Sequence, residues 1–119
     1  MSNSTDPADV ARDLSTGDKV CFHFDGSFST HQFQPSSPFE TEVTLSLPLP
    51  DSETKNSTTR IDVQPPAGDQ KADTYFFELI TPAIEDPFVT PLRAEKTEGG
   101  YKSEWGINGI ERLEILSQS

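Results

Sequence analysis

From Lys19 onward the chain never keeps a helical apolar period for more than one turn. Apolar and polar residues alternate in short runs, and proline or glycine closes each run. A period of two places successive side chains on opposite faces of an extended backbone, so this pattern confines the chain to strands and tight turns. Lys19 to Phe24 sets Val20, Phe22 and Phe24 against Cys21 and His23. Glu42 to Leu49 sets Val43, Leu45, Leu47 and Leu49 against Glu42, Thr44 and Ser46. Pro48 and Pro50 restrict its far end to an edge or an exit. Thr59 to Gln64 pairs Ile61 with Val63. Thr74 to Thr81, dense in Tyr75, Phe76, Phe77, Leu79 and Ile80, reads as a strand buried on both faces except at Glu78. Phe88 to Lys96 is a strand with Pro91 as a flaw, Gly99-Gly100 a turn, and Tyr101 to Trp105 the strand that follows. Asn108-Gly109 is a strong turn signal, and Glu111 to Leu116 is the last strand. Ile107, Ile110 and Leu113 recur at a spacing of three, which also suits a single helical turn before that strand.

Before the first strand, Asp6 and Pro7 form a helix start, with Asp as the cap and Pro in the first turn. Val10 and Leu14 lie four apart, which predicts a short helix over 7–14. Residues 1–6 read as a disordered N-terminus and 7–117 as a single β-rich domain. With turns roughly every 8–14 residues, the pattern predicts a mostly β fold, a small antiparallel barrel with one short N-terminal helix. The order of strand, Trp105, short turn and final strand is similar to the closing segment of SH3-like barrels. That resemblance favours an SH3-like barrel over an OB-like barrel or a small sandwich.

Charge bounds the partners. Twenty acidic residues face nine basic ones, a net charge of −11, and only five of the nine are lysines. The acids are spread along the whole chain, which makes an acidic coat rather than an interaction tail. Low lysine with abundant Asp, Glu, Ser and Thr resembles the cytosolic proteins of salt-in halophiles, the haloarchaea above all. Cys21 stands alone, which fits a reducing compartment and no internal disulfide. The first residues have neither a basic nor an apolar region of a signal peptide, and no apolar run spans a bilayer. A cytoplasmic location without membrane contact is therefore expected.

Three places carry candidate chemistry. Cys21 and His23 share one strand face and His31 is near in sequence, so a metal, if any, would sit on Cys21, His23 and His31. The spacing matches no recognised zinc pattern, and no cofactor is expected. Cys21 as a nucleophile would need a base within reach, and a lone cysteine more often packs as a small hydrophobe. Arg93, Lys96, Tyr101, Lys102 and Trp105 fall on one expected hairpin, where cations could meet phosphates and aromatics could stack on bases. The net charge opposes that use. The loop 25–39 places Phe28, His31, Phe33 and Phe39 among Ser, Gln and Pro, and aromatics there either tuck onto the fold or anchor a partner.

No phosphate-binding motif or catalytic constellation accompanies these residues. The expected role is a non-enzymatic protein-interaction or regulatory module, with another protein as partner through the 25–39 loop or an exposed strand edge. A nucleic-acid-binding barrel and a small metalloprotein or enzyme are the alternatives. The acidic coat also sets a physical expectation. Self-repulsion is screened at high ionic strength, so circular dichroism should show the fold loosening below roughly 0.5 M salt and recovering above it. A melting point identical in low and molar salt would show the coat to be indifferent to screening.

Overall fold

The computed structural model describes residues 6–25, 38–49, 56–67 and 71–119. A helix, α1 (Pro7–Arg12), precedes eight strands: β1 (Lys19–Phe24), β2 (Phe39–Pro48), β3 (Ser57–Val63), β4 (Thr74–Thr81), β5 (Phe88–Val89), β6 (Leu92–Glu98), β7 (Tyr101–Asn108) and β8 (Ile110–Ser117). The fold is mostly β, and every pairing is antiparallel. The strands run in the order β7-β6-β4-β3-β2-β1-β8, with β5 also paired to β4. Pro91 marks the break that divides the expected 88–96 strand into β5 and β6, because proline lacks the ladder donor. Among the described residues no helix is long and apolar enough to cross a membrane.

The expected barrel does not close. The chain steps from β7 to β8 through Gly109 alone, with β7 paired to β6 and β8 paired to β1 at opposite ends of the path. The Asn108-Gly109 hairpin turn is absent. Such a turn requires positive φ, and the described glycines with positive φ are Gly17, Gly99 and Gly100. Asn108 is instead a buried strand residue, and the Gly109 carbonyl accepts the Asp25 N–H at 3.0 Å. Nor is there a helical turn at 107–113. Ile107 and Leu113 reach the core from two successive strands.

The Asp6 carboxylate accepts the Asp9 N–H at 3.3 Å and caps α1. The helix ends at Arg12, short of the expected residue 14, and buries Ala8, Val10 and Ala11 against β8, β5 and β4. Asp18, almost fully buried, then anchors three segments. Its carboxylate accepts the N–H groups of Ser15 at 2.9 Å and Ser119 at 3.0 Å, and its carbonyl accepts the Val43 N–H at 2.8 Å. Beside it, Gly17 has φ 96°, and a β-carbon there would lie 2.8 Å from the Ser119 side chain. Between the strands, Phe22 stacks on Phe24 and Phe39 and meets Phe77 edge-on at 5.6 Å, while Phe39 also touches Tyr75. Val20, Val43, Ile61, Val63, Leu92 and Leu113 complete this core.

The most regular apolar alternation in the sequence is where facing differs most from expectation. β2 begins at Phe39 rather than Glu42, and a bulge shifts its register between Val43 and Leu45. Val43 opposes Val63 and is buried, whereas Leu45 opposes Asp62 and Leu47 opposes Arg60. One extra residue flips every side chain beyond it to the other face. Leu45 and Leu47 therefore point outward, 38% and 46% exposed.

Asp18 offers a direct test of how the ends are tied. Asp18→Ala orphans two backbone N–H groups and removes charge-assisted hydrogen bonds, so urea unfolding should show a loss of about 2–3 kcal/mol. A loss below about 0.5 kcal/mol would mean that water replaces the carboxylate without penalty.

Candidate functional site

Alternation along β4 turns Tyr75, Phe77 and Leu79 into the core and Phe76, Glu78 and Ile80 outward. Phe76 is nevertheless only 3% exposed. Arg60 from β3 lies over its ring at 4.0 Å and Arg93 from β6 at 4.7 Å, each by cation–π contact. Carboxylates hold both guanidinium groups. Arg60 bonds Asp62 at 2.7 Å and Glu95 at 3.1 Å, and Arg93 bonds Glu78 at 2.6 Å. Burial works against the Arg60 charge, but the bonds and fields of Asp62 and Glu95 outweigh it and hold the guanidinium above its ordinary range. β4 is thus covered on both sides, by apolar packing within and by an arginine–carboxylate lattice without.

At one end of this outer face the lattice gives way to apolar side chains. Thr58 opposes Ile80, Ile80 opposes Phe88, and the Leu49 N–H bonds the Thr58 carbonyl at 2.8 Å. Leu49, Thr58, Ile80 and Phe88 thus form a row across four strands or strand ends, and Leu47 and Leu45 continue along β2. Phe88 is 46% exposed and Ile84, in the loop before it, 95%. Glu85 and Asp86 are exposed beside them, and Glu40 and Glu42 extend the β2 face beyond the leucines.

The expected β6–β7 hairpin forms, with Arg93 opposite Gly106 and Lys102 opposite Thr97. Its candidate residues divide between two faces. Arg93 and Lys102 point outward, while Trp105 sits opposite Ala94 and packs on the core, with Lys96 and Tyr101 on that same side. Lys102 pairs with Glu95 at 3.2 Å and Glu104 at 3.9 Å. The outward cations are engaged by carboxylates, and only Tyr101 is a broadly exposed aromatic in this set.

In the 25–39 segment, Phe28, His31 and Phe33 lie outside the described residues, and Phe39 is a buried core residue of β2. Cys21 and His23 do come together. Cys21 Sγ lies 3.7 Å from His23 Nε2, which lies 3.7 Å from Glu114 Oε1 on β8. Nothing in the sequence links Glu114 to Cys21 and His23. Its alternation with Leu113 and Ile115 marks it as outward, but only the β1–β8 register sets it opposite Cys21. A groove of about 260 Å³ beside this cluster is lined by Lys19, Glu40, Thr41, Glu42, Gln64 and Leu116.

No protein-family model, curated protein or solved structure matches the chain.

Burial pushes the Cys21 thiol up, the Glu114 and Glu40 carboxylates push it further, and Arg112 opposes them. Because the folded value is raised, the stability linked to this thiol is intact below its ordinary value of about 8.5. It is lost as pH rises through the raised value. Metal-free protein should therefore lose stability to urea across the alkaline range, and Cys21→Ser should flatten that loss. An equal slope in both proteins would assign the loss to other groups.

Proposed function

We propose that the protein is a non-enzymatic interaction module that docks an apolar, Lys/Arg-rich segment of a partner protein on the outer face formed by β2, β3, β4 and β5. The observation that carries this reading is the β2 bulge. It turns Leu45 and Leu47 to solvent, in line with Leu49, Ile80 and Phe88. Leucines exposed on a strand are an aggregation hazard unless something covers them. The chemistry of the partner follows from charge. The chain carries −11, and Glu85, Asp86, Glu40 and Glu42 border the apolar row. A second copy would bring the same negative charge to the same place, whereas a cationic segment gains from it.

The test is a photo-crosslinking residue placed at Leu47 and, as a control, at Thr97 on the far end of the same face. It is read in extract of the source cells by sequencing the cross-linked peptides. The reading expects Leu47 to trap an apolar segment with net positive charge, and Phe88→Asp to abolish the product. Phe88 is half exposed, so that substitution should cost about 0.5 kcal/mol or less of stability. Equal yields from both positions, capture of a second copy, or capture of an acidic segment would overturn it.

A further inference from the structure

Away from the docking face, β1 and β8 bring a thiol, an imidazole and a carboxylate to one point. Cys21 and His23 are two residues apart on β1 and so leave the same face, and Glu114 is directly opposite Cys21 in the β1–β8 register. The donor atoms Cys21 Sγ, His23 Nε2 and a Glu114 oxygen all lie within 4.8 Å of one another. Two of these separations are 3.7 Å. Bond lengths to tetrahedral zinc imply donor–donor separations of about 3.4–3.6 Å. The cluster therefore needs only a few tenths of an ångström of contraction at those two contacts.

The detail that decides the chemistry is which imidazole nitrogen is used. In a nucleophile–base–carboxylate relay, the nucleophile and the carboxylate occupy opposite nitrogens of the histidine. Here both approach Nε2. A single nitrogen cannot accept a proton from the thiol while donating one to the carboxylate, so the arrangement is not a relay. Convergence of three electron-rich atoms is what a cation requires. Glu40, across from Cys21 on β2, adds further negative charge beside the site. Arg112 Nη2 bonds Glu114 Oε1 at 2.8 Å and so orients that carboxylate from the side, as an outer partner of a ligand does.

We propose that Cys21, His23 and Glu114 form a binding site for a divalent transition metal of the zinc class. The mixed sulfur, nitrogen and oxygen set suits that class rather than magnesium or calcium. Cys21 binds as the thiolate, its proton passing to solvent. His23 binds through Nε2 as neutral imidazole. Three protein ligands leave a fourth position for water or Glu40. Because the ligands span β1 and β8, the ion would clasp the last strand to the first.

The test uses the full chain, freshly reduced and freed of metal. Zinc is titrated calorimetrically in buffers of different ionisation heat, and cobalt(II) is used as a coloured substitute. The expected result is one ion per chain, proton release on binding, and a cobalt spectrum with both a thiolate charge-transfer band and the intense visible bands of tetrahedral geometry. Cys21→Ser and His23→Ala should each weaken zinc binding by at least about 100-fold, and Arg112→Ala by about 10–100-fold. His23 is on the sheet surface, so its replacement remains informative if Cys21→Ser disturbs packing. A cobalt spectrum without the thiolate band, or zinc affinity unchanged in His23→Ala, would overturn the site. Neither result bears on the apolar row of the β2–β5 docking face; Glu40 alone lies beside both, and none of these substitutions changes it.

Discussion

The two-sided burial of β4 is the constraint on which the rest of the structure depends. Its inner residues Tyr75, Phe77 and Leu79 join the aromatic cluster around Phe22 and Phe39. Among the described residues, no second apolar layer covers its outer residue Phe76. Arg60 and Arg93 cover it, and Asp62, Glu78 and Glu95 hold those arginines in place. A chain with few cations uses half of its four arginines on one phenylalanine. Isolated ion pairs at a surface contribute little. Pairs that also fix two guanidinium groups over a ring do more, because they remove the ring from water.

That arrangement bears on charge as well as packing. Arg60, Arg93 and Lys102 are all committed to carboxylates on the outer face. Among the described residues, these three cations therefore form no free patch there. The surface offers acid and, at the β2–β5 end, exposed leucine, isoleucine and phenylalanine. Backbone geometry produces that apolar end. Without the bulge between Val43 and Leu45, the leucines would follow Val43 inward. The bulge instead turns Ser46 and Pro48 to the inner side, where Ser46 opposes Ile61.

β8 plays a different part. It follows β7 through Gly109, pairs with β1, and receives α1 on its buried side. Its outward residues Arg112 and Glu114 meet His23 and Cys21. The strand farthest from β1 in sequence is therefore its neighbour in space, and the chain ends beside Gly17 and Asp18. The chemistry of the Cys21 cluster and the Asp18–Ser119 contact both depend on this long-range pairing.

Local rules made most of the strands legible. The period of two located β1, β3, β4 and β8 to within a few residues. Pro91, expected as a flaw within one strand, divides that strand into β5 and β6. Glycine at 99 and 100 marked a turn, because positive φ is a property of single residues. The Asp6-Pro7 cap located the helix start for the same reason. Facing, register and neighbours belong to the tertiary structure. A bulge in β2 leaves no mark in an alternation that runs unbroken through Val43, Leu45 and Leu47. Asn108-Gly109 has the chemistry of a tight turn, yet pairing with β6 and β1 holds the flanking strands apart. Glu114 became a neighbour of Cys21 only when β8 docked on β1. Sequence alone thus determined where the chain extends and where it breaks, because those choices are made within a few residues. Which side chains meet was decided by strand pairing and core volume, which are properties of the whole chain.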